Sequence, residues 1–462
     1  MLTVVAYRLT ISWTNVFSYM NYYRCFLAIL LLLNATALAG YAQQAVLSLD
    51  DCLAYALQHS SKLQISRANA IEATANYRDA IGQLLPSLSA STSAYINFGR
   101  GIDPKTNTYT NTNSFSNGYN IESSLLLFDG LSSIYRLRSS REEQQIGREE
   151  QRRAEQSVRM ATIEAYYNLL YAKELQRLAA ENLDNSTQLA QQIARMYELG
   201  MKATTDVAEA QASMATDRQT AISRRNQYEI ALLQLKAAMN FPIDQPLGVS
   251  DSLAYGEVTS TPITPEGLYR DALAKLPDAR IAELQLRSSK HLYQSSIGSF
   301  FPNLTLNAGF GSGFSYFLSD PAHESFWDQL SNRRGAYVGA TLSFNLFSRL
   351  QNSNRVQRAK AKYLAQQAKS DDEKRDVYKA VQEAILYLNS SVEEYNAAVE
   401  VEKHRHQVYE ATLRNFQKGH ASALDLSQAS ARYKEARVGV AHTYTLYLLR
   451  KEGLNYYTNI CK

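Results

Sequence analysis

Two long stretches of this chain contain no proline, and this constrains the fold more than any other feature. All nine prolines of the 462-residue sequence lie outside residues 105–241 and 322–462. Proline is the strongest helix breaker, so both stretches can hold long helices. Within them, segments 127–199 and 346–418 have helical composition over about seventy residues, which is on the order of 100 Å of α-helix. A single compact domain cannot enclose such a helix, so the sequence predicts an elongated molecule.

The balance of charge and the motif content narrow the function. Lysine and arginine number 48 against 44 aspartates and glutamates, which argues against nucleic acid as a partner. We find no nucleophile motif and no glycine-rich phosphate loop following a strand. His404 and His406 are two positions apart and would point in different directions on a helix, so a solvated face is the simpler interpretation than a metal pair. We expect no enzyme activity, cofactor or metal site.

The N-terminus has the three parts of a secretory signal. A basic region at 20–24 precedes a short apolar run at 25–33, and small residues up to Ala42 suit cleavage. The apolar run is shorter than the roughly 20 residues that span a bilayer. We therefore predict that residues 1–42 are a cleaved signal peptide, with Met20 as a candidate true start.

The three cysteines show no paired spacing that would suggest zinc or redox chemistry. Cys25 lies in the predicted signal. For Cys52 and Cys461 the simpler interpretation is two isolated thiols, and a bridge between the chain ends is the alternative.

Four segments alternate apolar and polar residues, the pattern of strands with one face of each kind. They lie at 88–98, 119–129, 304–314 and 337–347. The first two segments flank one loop and the last two flank another, and each arrangement predicts a strand hairpin. Strands of about eleven residues match the length that crosses an outer-membrane-type bilayer at a tilt. Aromatic residues cluster at the strand ends, as interface girdles would: Phe98, Tyr119, Phe128, Phe314, Tyr316, Phe317, Tyr337 and Phe347.

The order of elements occurs twice. Helical segments at 49–85 and 268–299 each precede a strand pair, and each pair leads into a long helix that ends at Gly200 or Gly419, 219 positions apart. Glycine supplies the left-handed cap that stops a helix. We predict two copies of one unit: a first repeat at 43–241 with helices 131–199 and 203–240, a linker at 242–265, and a second repeat at 266–462 with helices 349–418 and 422–452.

The helices that follow the two glycines carry seams at alternating spacings of three and four, which is typical of coiled coils. The first seam runs through Val207, Ala210, Met214, Asp217, Ala221, Arg224, Tyr228, Ala231, Leu235 and Ala238, and the second through Leu426, Ala429, Tyr433, Ala436, Val440, Thr443 and Tyr447. Each long helix and its return helix should therefore form an antiparallel hairpin. Asp217 and Arg224 interrupt the first seam, and pairing with a neighbouring helix, lining a lumen and register drift are all open interpretations.

Four strands cannot close a barrel, and a sheet in a membrane cannot leave its edges open, because unpaired backbone groups there cost several kcal/mol each. Three copies would supply twelve strands, enough for a barrel with an aqueous lumen. The same symmetry would place the helical hairpins side by side as a second tube. The predicted fold class is mixed and mainly α: duplicated long antiparallel helical hairpins plus a four-strand contribution to a trimeric, twelve-stranded transmembrane β-barrel.

These features together resemble TolC-type outer-membrane factors, the exit ducts of tripartite efflux pumps and type I secretion systems. The resemblance covers about residues 45–458. It is carried by the duplicated order of strand and helix hairpins, the Leu-Pro and Phe-Pro strand entries at 85–86 and 301–302, the Leu-Phe-Asp-Gly and Leu-Phe-Ser-Arg exits at 127–130 and 346–349, and the two Gly-x5-Asp helix turns. It implies a homotrimer in the outer membrane, with its helices forming an α-barrel in the periplasm. It also implies an equatorial belt from about 241–265 and the chain ends.

The resemblance further implies a gate. In that family the periplasmic tips, here the Gly200 and Gly419 turns, open when a periplasmic adaptor and an inner-membrane pump dock. The pore-narrowing tip of the family carries aspartates six and nine residues after the second glycine; Asp425 occupies the first position, and Gln428 replaces the second. Asp425 is thus a gate candidate, with a helix-dipole role as the alternative. Its repeat partner, Asp206, is expected on the outer side or as a cap.

The leading hypothesis is a trimeric exit duct that moves small amphiphiles or proteins without hydrolysing anything. One alternative is a periplasmic coiled-coil adaptor or structural protein with an ordinary soluble sheet. Another is a stand-alone passive porin. The sequence does not identify the cargo, the adaptor or the pump.

Overall fold

A computed structural model describes residues 45–102, 107–111, 113–258, 264–318 and 323–458. The strands are β1 Ala45–Leu47, β2 Ser87–Asn97, β3 Arg100–Ile102, β4 Tyr109–Asn111, β5 Ser114–Phe128, β6 Leu247–Val249, β7 Asn303–Phe317 and β8 Gly335–Ser343. The helices are α1 Leu49–His59, α2 Ser61–Gly82, α3 Ser132–Glu198, α4 Thr204–Met239, α5 Pro265–Lys275, α6 Pro277–Ile297, α7 Phe326–Asn332, α8 Gln351–Gln417 and α9 Ala423–Thr458. The predicted signal and Cys461 lie outside the described residues.

The helices form two antiparallel hairpins of matching size. The long helices α3 and α8 each contain 67 residues, and their return helices α4 and α9 each contain 36. Helix α3 packs against α4, and α8 packs against α9. Helices α3 and α9 also touch, so the two hairpins lie side by side.

The coiled-coil seams are the packed faces of the return helices. In α4 the residues Ala210, Asp217, Ala231 and Leu235 are buried, and the other predicted seam positions are half-buried. In α9 the predicted seam positions are likewise buried or half-buried. No helix in the described part of the chain is long and apolar enough to cross a bilayer.

The single helices expected over 49–85 and 268–299 are each two helices, which corrects the sequence interpretation. The chain becomes extended at Ser60 (φ −63°, ψ 121°) and at Leu276 (φ −64°, ψ 130°). Leu276 precedes Pro277, whose ring disfavours helical geometry in the preceding residue. Ser60 has no such neighbour, and its side chain makes no capping bond, so the first break had no clear signal.

A four-stranded antiparallel sheet has the order β2-β5-β7-β8. Its register places apolar positions of all four strands on one face: Ala90, Ile121, Phe310 and Ala336 form one cross-strand row, and Leu88, Ser123, Ala308 and Val338 form another. Side chains on this face are exposed, Leu88 by 77% and Val338 by 79%. Among the described strands, β2 and β8 each pair on one side only.

The central strands are longer than expected, and the last strand is shorter. Strands β5 and β7 pair with each other from Ser114 and Phe317 to their far ends, and this mutual pairing extends both. Strand β8 ends at Ser343 instead of Phe347, and Arg349 and Leu350 then take left-handed backbone conformations as the chain turns into α8. The two expected loops contain the short β3–β4 hairpin and helix α7.

The linker packs against the main apolar core of the chain, a cluster of buried side chains in which Leu247 and Val249 join Leu169 of α3 and Leu235 of α4. Strand β1 pairs in parallel with β6, so the first described residues and the linker form one small sheet. Lys173 Nζ donates to the backbone oxygens of Val249 and Asp251, and Lys236 Nζ donates to those of Ile243 and Gln245. These bonds satisfy carbonyl groups that irregular chain would otherwise leave unpaired.

Candidate functional site at the helix tips

Glycine shapes both turns at the end of the hairpins. Gly200 has φ +73° and Gly419 has φ +78°, a region that side-chain-bearing residues rarely adopt. The Met201 N–H donates to the Met196 carbonyl at 2.9 Å, and the His420 N–H donates to the Asn415 carbonyl at 2.8 Å. Both bonds are those of a left-handed helix cap. The sequence identified these two turns directly.

Asp425 is part of a complete capping box. Its carboxylate accepts hydrogen bonds from the Ser422 N–H (3.0 Å) and the Ser422 hydroxyl (2.7 Å), while the Asp425 N–H donates to Ser422 Oγ (3.1 Å). Asp206 makes only half of this arrangement, accepting from the Ala203 N–H at 3.1 Å, because alanine has no acceptor to return. Gln428 is exposed on the first turns of α9.

The cap also sets the charge of Asp425. Hydrogen bonds from the Ser422 hydroxyl and then from its backbone N–H lower the pKa of the Asp425 carboxyl. The group is therefore ionised at neutral pH, as both the gate and the helix-dipole interpretations require. Within one copy of the chain its contacts are those of a cap.

An apolar cluster joins the two tips. Ile193 at the end of α3, Phe416 at the end of α8 and Leu426 in α9 are all buried together. Lys202 lies in the Gly200 turn, and its Nζ is 3.8 Å from the centroid of the Phe416 ring, within the range of a cation–π contact. The first tip is thus packed onto the second.

An ion pair between buried Asp217 and half-buried Lys434 joins α4 to α9, farther from the tips than this cluster. Lys434 Nζ lies 2.9 and 2.7 Å from the two carboxylate oxygens of Asp217, which is buried. Of the interpretations open for Asp217, pairing with a neighbouring helix is the one observed. Arg224 instead donates to Gln227 on its own helix.

A second ion pair fastens α3 to α9. Arg437 donates from both terminal nitrogens to the Glu181 carboxylate, at 2.8 and 2.9 Å. Arg177 links Glu181 to Glu174, and Tyr255 of the linker donates its hydroxyl to Glu174 at 3.2 Å. A chain of polar contacts thus runs from α9 through α3 to the linker.

The charges in this network reinforce one another. The hydrogen bond from Arg437, followed by its charge, lowers the pKa of Glu181 against the opposing effect of burial. The same contact raises the pKa of Arg437. Both groups are charged at neutral pH, and a bidentate pair of this kind is stronger than neutral hydrogen bonds.

Sequence reasoning missed Lys434, Arg437 and Glu181. A usable signal existed, because Lys434 and Arg437 are three residues apart and flank the second seam beside Tyr433. Their partners belong to other helices, so only packing could identify them.

The remaining candidates take structural positions. His406 Nε2 is 3.9 Å from a Glu410 oxygen, and its ring packs on Tyr433. In the described segments, no group of three or more His, Cys, Asp or Glu side chains could hold a metal ion. Cys52 is buried and has no disulfide partner among the described residues, and burial raises the pKa of its thiol to about 12.

Comparison with known proteins gives consistent matches. Residues 53–240 and 268–454 match the model of the outer membrane efflux protein family. The pyoverdine export outer membrane protein OpmQ of Pseudomonas aeruginosa is 27% identical over 274 residues, 57% of this chain and 56% of that protein. The outer membrane efflux protein BepC of Brucella suis is 25% identical over 280 residues, 60% of this chain and 57% of that protein. Each of these two alignments thus spans little more than half the length of the relative.

Solved structures share the fold. CusC matches with a TM-score of 0.77 and 16% identity, covering 88% of this chain and 91% of that one. The CmeC outer membrane channel of Campylobacter jejuni also has a TM-score of 0.77 and 16% identity, covering 89% and 85%.

The family and these structures are of channels rather than enzymes, and they confirm the resemblance to TolC-type factors. They place the chain in the outer membrane with its helical part in the periplasm. With its four-stranded sheet, its two long hairpins and a family match over most of its length, the chain belongs to the outer membrane efflux protein family.

Proposed function

We propose that three copies of this chain form an exit duct through the outer membrane, serving a tripartite efflux pump or a type I secretion system. The observation that carries the proposal is the sheet, which has an apolar face and only two described edges, β2 and β8. Edges are not tolerated in hydrocarbon. If β8 of one copy pairs with β2 of the next, three sheets of four strands close a twelve-stranded barrel.

The chain is an internal duplication in this proposal, with repeats at 43–241 and 266–462 and a linker at 242–265. Three features support it: the matching helix lengths, the equivalent breaks at Ser60 and Leu276, and the two separate family matches. Each repeat contributes one strand hairpin to the β-barrel and one helical hairpin to the α-barrel below it.

The gate lies at the helix tips. Farther along the helices, Asp217–Lys434 and Glu181–Arg437 hold α9 against the first hairpin. Asp217 is buried, so loss of Lys434 would leave its charge uncompensated, which is destabilising. Glu181 is 41% exposed, so breaking its pair with Arg437 costs less. Outward movement of α9 would break both pairs together. These pairs therefore set the closed state, and Asp425, with Gln428 one turn on, lines the opening at the second tip.

Docking of a periplasmic adaptor at the Gly200 and Gly419 turns opens the gate. Leu199, Met201 and Leu424 are exposed at these turns and offer apolar contacts. An inner-membrane pump supplies the energy, and small amphiphiles or proteins pass without being hydrolysed. Outer-membrane lipid surrounds the barrel.

The test has two parts. The protein-only native mass of the detergent-extracted chain should be that of a trimer, and trimers in a planar bilayer should be mostly shut. Replacing both cations, Lys434→Met with Arg437→Met, should open them. Arg432→Met, which removes one charge from an exposed position on the same helix, is the matched control and should leave them shut.

Other outcomes identify the alternatives. A water-soluble monomer would contradict the duct and favour an adaptor or structural protein. A trimer that conducts freely without any substitution would favour a passive porin. Co-purification of an adaptor with the unsubstituted trimer, and its loss after Met201→Asp at the tip, would support the assembled pump.

A further inference from the structure

The polar face of the sheet is rich in glycine on its last two strands. Gly309, Gly311 and Gly313 alternate along β7, and Gly335 and Gly339 lie on the same face of β8. In the proposed barrel this face lines the conduit. Glycine within a strand often marks a place where another group approaches the backbone closely.

Gly309 lies directly opposite Tyr337 on β8, and the tyrosine ring covers it. A Cβ atom built on Gly309 would lie 2.7 Å from Cζ and 2.9 Å from Oη of Tyr337. Real Cβ atoms essentially never show such distances. The ring therefore lies flat across β7, in a recess that exists only because residue 309 has no side chain.

Two neighbouring positions repeat the arrangement. The Asn120 side chain of β5 lies over Gly311, where an added Cβ would be 3.5 Å from Asn120 Cγ and closer still to its oxygen. Ser93 Oγ of β2 would be 3.2 Å from a Cβ on Gly118. Polar side chains on this face are thus laid along the sheet over glycines of the adjacent strand.

We infer that Gly309 keeps the Tyr337 ring out of the conduit and so sets the bore of the barrel at this level. The inference rests on the proposed duct. Tyr337 is 55% exposed, so its ring can swing to another staggered rotamer without moving the backbone. With a methyl group at residue 309, the ring has to leave the recess.

No equivalent recess lies on the other side of β8. In the proposed trimer its neighbour is β2 of the next copy, whose polar-face residues all carry side chains: Ser87, Ser89, Ser91, Ser93, Tyr95 and Asn97. A displaced ring therefore projects into the lumen, where the threefold axis repeats it three times. Gly309 is a bore-determining residue for large cargo.

The experiment compares Gly309→Ala with Gly339→Ala in trimers opened by the Lys434→Met and Arg437→Met changes. Gly339 is on the same face, and a Cβ there would meet nothing within 4 Å. Polyethylene glycols of increasing size are added on the barrel side, and the largest polymer that still lowers conductance measures the bore. Gly309→Ala should exclude polymers that the opened parent and Gly339→Ala both admit. Adding Tyr337→Ala to Gly309→Ala should restore their entry.

An unchanged size limit in Gly309→Ala, or one that stays reduced in the double variant, would overturn the inference. If Gly309→Ala does not assemble, the Tyr337→Ala variant tests the inference by itself. Its size limit should equal that of the opened parent. A larger limit would mean that the ring already obstructs the lumen, and this would overturn the inference. Electron cryo-microscopy of the same trimers locates the ring whether or not the tips open. Failure of every variant to conduct would count against the proposed gate and not against the ring position.

Discussion

The two long helices have the same length but different surroundings. Helix α3 has 17 buried residues among its 67, whereas α8 has eight. Helix α3 is packed against α2, α4, α6 and α9, while α8 packs mainly against α6 and α9. Helix α8 also keeps a set of exposed large apolar side chains: Leu364, Tyr378, Leu386, Tyr387, Val399, Val401 and Val408.

The difference shows which of the two helices finds most of its packing partners within the same copy of the chain. Helix α3 is the centre of the protomer and has its partners in the same chain. In the proposed trimer, the next copy of the chain would cover part of this exposed apolar surface of α8. In the proposed trimer, the long helix of one repeat would belong to the core of its own chain, and the equivalent helix of the other repeat would make contacts between copies.

The largest expected effect comes from a charge on the exposed side of α8. Leu386 is 65% exposed in the single chain, and Leu386→Asp would bury a carboxylate in each proposed contact between copies. An unpartnered buried charge costs several kcal/mol, so native mass measurement should show monomers. Leu386→Met, which keeps the apolar contact, should remain trimeric. If the Leu386→Asp variant also remained trimeric, this face of α8 would not be an interface.

The next effect concerns equivalent core positions of the two helices. Leu169 in α3 is 0% exposed, and Leu388, 219 positions later in α8, is 7% exposed. Leucine-to-alanine changes in cores cost about 2–5 kcal/mol. We expect Leu169→Ala to lie at the upper end of that range and Leu388→Ala at the lower end, measured as the free energy of unfolding in urea. Equal costs would contradict the more central role assigned to α3.

The contact between the hairpins should depend on pH through Glu181. The pKa of Glu181 is lowered in the folded chain, chiefly by the hydrogen bond from Arg437. The stabilisation that the ionised carboxylate gives to this contact is therefore fully present above the unfolded pKa of about 4.3, and it is lost as the pH falls through the lower folded pKa. Trimers should therefore conduct more as the pH is lowered below about 4.

Glu181→Gln should weaken this pH dependence and raise conductance at neutral pH. Asp184→Asn is the matched control, because Asp184 accepts from Gln188 of its own helix and holds no second hairpin. If both variants behave alike, Glu181 does not hold the hairpins together.

The smallest effect distinguishes the two tips. Ser422 caps α9, and Ala203 stands at the corresponding place before α4. A capping serine is worth roughly 1 kcal/mol relative to alanine. Ala203→Ser should raise the free energy of unfolding by about that amount, and Ser422→Ala should lower it by a similar amount. A loss of stability in Ala203→Ser would mean that the first tip cannot form the box.

Much of this fold was predictable because its signals are local. The proline-free stretches, the seams and the two glycines located all four hairpin helices to within a few residues, except that α9 extends to Thr458 beyond the expected residue 452. Strand alternation located the sheet and its apolar face. The break at Ser60 was missed because helical composition continues across it, whereas Pro277 was a local signal for the break at Leu276 that the sequence interpretation did not use. The end of β8 was missed because alternation continues beyond Ser343.

The sequence by itself determined the four hairpin helices, the four strands of the main sheet, their order and the tip turns, since helix length, capping and strand alternation depend on residues close together in the chain. Only the tertiary structure decided that Asp217 pairs with Lys434 and Glu181 with Arg437, that α3 is central while α8 is exposed, and that Tyr337 lies in the recess at Gly309. Each of these depends on groups from distant segments. Such contacts are set by how the helices and strands pack, which no local pattern encodes.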